Sequence, residues 1–173
     1  MGASEQSDGL KVYYATVQLN ILREAPAPNV MHLPDLVVEW GLSSQAVECL
    51  WVVGFDATQQ VRCIVEIARG NQFNVQVDIS SIFDAIRAAG TNRFYVMHNH
   101  PSSGLRPTKK DLMLTQQIAM AGAISALHFE DHVILAPPDR WYSLVEHGHM
   151  TPSAEIARLV AQSASQQVWS HRR

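Results

Sequence analysis

The densest concentration of metal-ligating residue types in the chain is His98-Asn99-His100-Pro101, with Asp111 eleven positions after the second histidine. Histidines at i and i+2 of an extended segment project to one side, so both imidazoles can reach a single ion. Pro101 then stops the strand, and Gly104 and Pro107 supply bends that bring the chain back. Asp111 falls in the first turn of the following helix, where its carboxylate can serve as a third ligand. Two imidazoles and one carboxylate suit zinc, and three protein ligands leave a fourth position for water, as in catalytic sites. Water held there has its pKa lowered from ~15.7 towards ~7. Hydrolysis further wants a group that takes and returns protons. In VRCIVEIA, alternation sets Ile64, Glu66 and Ala68 on one face, so Glu66 has apolar company, a costly place for a carboxylate unless it pairs, is hydrated or works near a metal. Glu66 is the candidate general base.

Each of these residues also has a plainer reading. Thr108-Lys109-Lys110-Asp111 has the form of a helix capping box. That is compatible with ligation, since a carboxylate bound through one oxygen keeps the other for a backbone N–H. A His-x-His pair alone is more often surface or packing histidine, and it is the conjunction with Pro101, Thr108 and Asp111 that favours a metal. Glu66 can instead be a solvated strand position or the partner of Arg62 or Arg69. Asp131 and His132 can support the ligands from behind or simply pack. Arg106, Lys109 and Lys110 make a small positive cluster beside the site, usually a solvated face.

The elements that must position these groups are legible from patterning. Residues 1–10 read as a flexible tail, 11–150 as a single domain and 151–173 as a C-terminal helix. KVYYATVQLNIL (11–22) has strand composition, and LPDLVVEWGL (33–42) carries Pro34 near a helix start. VECLWVVGFDA and QVRCIVEIARG predict a central antiparallel hairpin around Asp56-Ala57-Thr58-Gln59. GNQFNVQVD reads as a loop or edge strand, and SSIFDAIRAAG as a helix over 80–89, capped by Ser80 or Ser81 and ended at Gly90. RFYVM (93–97) is a buried strand, HNHPSSGLRP a loop, and 108–121 a helix stopping near Gly122. ISALHFEDHVILA gives one or two strands, and PPDRWYSLVEHGHM a turn with a helical turn. In the last helix, Ile156, Leu159 and Val160 share a face.

Composition sets the class. With 173 residues, 47% hydrophobic and 17% charged, the chain fits one domain with a single core. A net charge of −3 provides no general field for polyanionic nucleic acid or an acidic membrane surface. No apolar stretch reaches the ~18 residues of a membrane span, and the polar opening MGASEQSDG lacks the build of a secretory signal. Gln6 stands where a myristoylation motif wants Ser or Thr. The expectation is a cytoplasmic protein. Cys49 and Cys63, each in an apolar run, read as reduced core thiols, and two cysteines cannot build a four-cysteine zinc site. Trp40, Trp51, Trp141 and Trp169 are spread without the basic-aromatic interleaving of a single-strand binding groove.

Over roughly residues 45–147 the sequence resembles the JAB/MPN (JAMM) metalloprotease superfamily, and within it the RadC-like branch. That pattern is an upstream Glu, His-x-His-Pro, a Ser seven positions after the Pro and an Asp three beyond the Ser. Here it runs Glu66, His98-Asn99-His100-Pro101, Thr108 and Asp111. HNHPSSG is close to the HNHPSG of RadC-like proteins, Asp131-His132-Val133-Ile134 is similar to their Asp-His-Ile-Ile, and Glu66 stands four residues before Gly70 as a RadC-like Glu precedes a Gly. The resemblance implies an α/β, cytidine-deaminase-like fold: a curved mixed β-sheet flanked by helices, with a Zn2+ site at one end. It assigns His98, His100 and Asp111 as zinc ligands and Glu66 as the proton shuttle. Thr108 replaces the Ser whose hydroxyl helps to stabilise the oxyanion, keeping the hydroxyl and adding a methyl. The implied activity is cleavage of a peptide or isopeptide bond after the C-terminus of a ubiquitin-like protein. The alternative is a non-enzymatic, zinc-binding domain that scaffolds or assists DNA repair. Residues 1–44 do not show the helix-hairpin-helix module many RadC proteins carry in front, which removes the main sequence reason to expect nucleic acid.

Overall fold

The computed structural model describes Val37 and residues 40–70, 77–102 and 104–170, with side chains to residue 163. The expected tail at 1–10, the strand over 11–22, the loop or edge strand at 71–76 and most of the helix over 33–42 lie outside the described residues.

The β-branched and aromatic runs become strands: β1 (Cys49–Phe55), β2 (Val61–Arg69), β3 (Arg93–Asn99), β4 (His128–Ala136) and β5 (Arg140–Ser143). They form one sheet in the order β2-β1-β3-β4-β5. All neighbours run antiparallel except β3 and β4, which are parallel. A parallel pair needs a crossover, supplied by helix α2 (Lys109–Ile124). Because α2 leaves from the carboxyl end of β3, its first turn sits beside that strand end, where open α/β sheets place their ligands. Helices α1 (Ile79–Ala88) and α3 (Ser153–Ser170) and a short 3-10 helix (Leu42–Ser44) are the other described elements. This is the mixed, helix-flanked sheet that the resemblance implies.

Alternation divides the core in two. Leu50, Val52, Cys63, Val65, Phe94 and Val96 face α1 and α2 and pack on Ile82, Ile86, Ile118 and Ala119. The opposite face carries Trp51, Val53, Ile64, Met97, Val133 and Leu135, covered by Val37 and Leu42. Both cysteines are buried and free. No helix among the described residues is long and apolar enough to cross a membrane.

Several boundaries differ from the sequence reading, each for a local reason. Among the described strands, β1 lies inside the sheet and β2 at its end, so the hairpin is not central in that set. β3 runs on through His98 and Asn99, expected in the loop, because β4 continues alongside and Asn99 pairs with Leu135. Residues 140–143, expected in a turn, form β5 because they pair back on Val133–Ala136. Asp78, not Ser80 or Ser81, caps α1, its carboxylate accepting from the Ser80 N–H at 3.0 Å. α2 does not stop at Gly122, where a Cβ would lie 3.0 Å from the Leu127 carbonyl oxygen. There the glycine lets chain approach helix rather than ending it. Of the apolar face expected on α3, Ile156 packs on the core while Leu159 and Val160 are exposed.

Candidate metal centre

In β3 the alternation that turns Phe94 and Val96 towards the helices turns His98 the same way, and His98 is buried at 2% exposure. His100 follows just past the strand, its backbone N–H donating to the Leu135 carbonyl at 2.8 Å. The two Nε2 atoms lie 2.9 Å apart. Asp111 enters from the first turn of α2, with Oδ1 3.3 Å from His98 Nε2 and Oδ2 3.5 Å from His100 Nε2. One ligand atom from each of the three side chains falls within 4.8 Å of the others. The segment between, with Pro101, Gly104 and Pro107, makes the return the spacing anticipated.

Hydrogen bonds set the donors. The Gly104 carbonyl can only accept, so at 2.8 Å the His100 Nδ1 carries the hydrogen and Nε2 keeps its lone pair for the centre. The capping box is complete: the Asp111 N–H donates to Thr108 Oγ1 at 3.2 Å, and the Thr108 N–H donates to Asp111 Oδ2 at 2.7 Å. Burial works against the Asp111 carboxylate, but the His100 and His98 rings beside it and the Thr108 N–H outweigh it and hold its pKa well below the ordinary carboxylate range. Burial lowers the His100 pKa, yet the Asp111 carboxylate, the Gly104 carbonyl and the negative charge of Glu48 together raise it above the ordinary value. An ionised carboxylate and imidazole Nε2 atoms converging on one point form the set that fits zinc.

The structure does not bring Glu66 to this cluster. Its strand partner is Trp51, on the far face of the sheet, whereas Leu50 pairs with both Ala68 and His98 on the helix face. The alternation that would have grouped Glu66 with Ala68 is broken by a register shift between Leu50 and Trp51. Glu66 instead accepts from Arg69, Nε to Oε1 at 2.8 Å and Nη2 to Oε2 at 2.6 Å.

A different glutamate, Glu48, acts on the cluster through its charge. Glu48 lies two residues before Leu50, which pairs with His98, so the antiparallel register carries it towards His100. It is half-buried, and its charge is one of those acting on the His100 ring. Asn99, between the two ligands, fixes the backbone on both sides of it. Asn99 Oδ1 accepts from the Cys49 N–H at 2.8 Å, and Nδ2 donates to the carbonyls of Gln45 and Val47 at 3.2 and 3.0 Å. The Glu48 carbonyl accepts from the Gly70 N–H at 2.8 Å. The signal in the sequence was a carboxylate directly ahead of the apolar run CLWVVGF, in phase with Leu50 and Val52.

Thr108 is the exposed N-cap of α2, as the capping-box reading had it. Arg106, Lys109 and Lys110 are exposed around the same helix start. Of Asp131 and His132 only the histidine reaches the ligands, its Nε2 lying 2.8 Å from His98 Nδ1. Asp131 turns to Ser143 and to the backbone N–H groups of His132 and Val145.

Residues 32–149 match the RadC-like JAB domain family. Among curated proteins, one named "UPF0758 protein" from Flavobacterium johnsoniae is 29% identical over 101 residues, 58% of this chain and 44% of that protein. A protein of the same name from Porphyromonas gingivalis is 24% identical over the same shares, and one from Staphylococcus haemolyticus is 34% identical over 68 residues, 39% of this chain and 29% of that protein. The chain's matched part spans less than half the length of these relatives.

Proposed function

The chain belongs to the RadC-like JAB domain family, and on that premise we propose that it is a zinc-dependent hydrolase of peptide or isopeptide bonds, acting at the C-terminal tail of a ubiquitin-like protein. The observation that carries the reading is the convergence of His98 Nε2, His100 Nε2 and the Asp111 carboxylate on one point, at the end of a strand and the start of a helix. Zinc bound there would act as a Lewis acid and bring the pKa of a water it holds to about 7.

The remaining work falls to the chain. His98, His100 and Asp111 would hold the ion, the number of protein ligands found in catalytic zinc sites. Glu48 is the general base: its carboxylate takes a proton from the attacking water and returns it to the leaving amine, within a site that Asn99 keeps in register. Thr108 Oγ1 accepts from the Asp111 N–H and can direct its own hydrogen at the oxyanion, from a helix N-terminus whose partial positive charge has the right sign. Zinc as the ion and a ubiquitin-like tail as the substrate rest on likeness to the superfamily.

Elemental analysis of the purified protein and of His98→Ala/His100→Ala tests the first half, with about one zinc per chain expected in the first and none in the second. Incubating the zinc-loaded protein with ubiquitin-like proteins extended at the C-terminus by a short peptide, followed by mass spectrometry, tests the second. A protein that cannot be loaded with zinc sinks the hydrolase reading. A loaded protein that leaves every extension intact and binds duplex DNA with a steep salt dependence replaces it with the DNA-repair reading.

A further inference from the structure

His132 is fully buried on β4 and used by neither ligation nor proton transfer. Its two ring nitrogens are both engaged: Nε2 lies 2.8 Å from His98 Nδ1, and Nδ1 lies 2.6 Å from Thr115 Oγ1. Thr115, also buried, stands one helical turn after Asp111, and its hydroxyl donates to the Asp111 carbonyl at 2.6 Å.

The direction of every bond in this chain is fixed by its last acceptor. A carbonyl oxygen has no hydrogen to give, so the Thr115 hydroxyl spends its only hydrogen on Asp111. Thr115 Oγ1 must then accept, which places a hydrogen on His132 Nδ1. With that tautomer His132 Nε2 is an acceptor, and His98 must donate from Nδ1. His98 Nε2 is left as a bare lone pair aimed at Asp111 and His100.

The geometry points to Thr115 and His132 as a positioning pair that locks His98 in its Nδ1–H tautomer and so prepares Nε2 to bind the ion. The chain starts on the backbone of one ligand, Asp111, and ends on the ring of another, so the helix that presents the carboxylate also sets the imidazole. His98 and His100 thereby reach the same tautomer by separate routes, His100 through the Gly104 carbonyl. Outer groups of this kind are worth 10–100-fold in metal affinity. The inference rests on the metal-binding reading above, but its first readout needs no metal.

Long-range proton–nitrogen NMR of the metal-free protein reads the tautomer of each ring directly. His98 is expected as Nδ1–H in the wild type and in Thr115→Ser, which keeps the hydroxyl, and as a mixture or Nε2–H in Thr115→Val and His132→Phe. Zinc titration against a chromophoric chelator should show affinity falling about 10–100-fold in Thr115→Val and His132→Phe and holding in Thr115→Ser. Thermal melts of the metal-free variants separate this from unfolding, and Thr115→Val, nearly isosteric, keeps the test open if His132→Phe does not fold. Wild-type His98 found as Nε2–H overturns the inference, as does unchanged zinc affinity in a folded Thr115→Val. A wild type that shows the Nδ1–H tautomer but binds no zinc leaves the hydrogen-bond chain standing and removes the metal-binding reading instead.

Discussion

The two faces of the sheet solve the same problem in opposite ways at one level of β3. On the helix face, His98 follows Phe94 and Val96 and is surrounded by polar partners, with His100, Asp111, His132 and Thr115 all engaged. On the other face, Met97 packs among Trp51, Val53, Val133 and Leu135, and Glu66, partly exposed, is tied to Arg69. A buried polar group is tolerated only where each donor and acceptor is met. The helix face meets that requirement with groups from β3, α2 and β4. The far face has only a rim, where an arginine can reach a carboxylate without leaving water. The two glutamates accordingly stand in different surroundings, Glu48 where its charge acts on His100 and Glu66 in a surface pair with Arg69.

Exchanging the roles of those glutamates is the sharpest way to break the comparison. Glu48→Gln is expected to keep zinc and fold while turnover of a cleavable fusion falls by about 10²–10⁴. A rate within about threefold of wild type would return the base to some other group. On the apolar face, Met97→Ala should cost roughly 2–5 kcal/mol of stability in denaturant titration while zinc stoichiometry stays at about one. Loss of zinc at unchanged stability would show that the faces are not separate. Asn99→Ala joins the two, since it strips partners from Cys49, Gln45 and Val47. A loss of about 1–3 kcal/mol is expected, with turnover falling further than zinc affinity, because the segment bearing Glu48 moves and the ligands do not. Equal losses of turnover and zinc affinity would place Asn99 with the ligands instead. The smallest effect belongs to Glu66→Gln. Its pair with Arg69, with side chains 29% and 48% exposed, is worth roughly 0–1 kcal/mol, and turnover should stay within about twofold of wild type.

How much of this was legible follows from the range over which each contact acts. His98, His100 and Asp111 lie within fourteen consecutive residues, so strand pitch, a proline stop, a bent loop and a helix cap are enough to bring them together, all written in HNHPSSGLRPTKKD. The apolar runs around them likewise placed Cys49 and Cys63 in the core. What alternation could not report was a break in itself. The register shift opposite Leu50 and Trp51 moves Ala68 to the helix face and leaves Glu66 with Ile64 and Trp51 on the far one, and nothing in VRCIVEIAR marks it. Asn99 showed in sequence only as the residue between two ligands, because the backbone it holds lies some fifty positions earlier.

The sequence by itself determined the cluster of His98, His100 and Asp111, which could hold a metal, and the capping box that aims Asp111, because each depends on neighbours a few residues apart and on the strand period. Only the tertiary structure decided that Glu66 stands apart from that cluster and that His132 and Thr115 line up behind His98. Those depend on how β1, β3 and β4 are registered and on which face meets α2, and strand period fixes a side chain's parity without fixing what lies opposite.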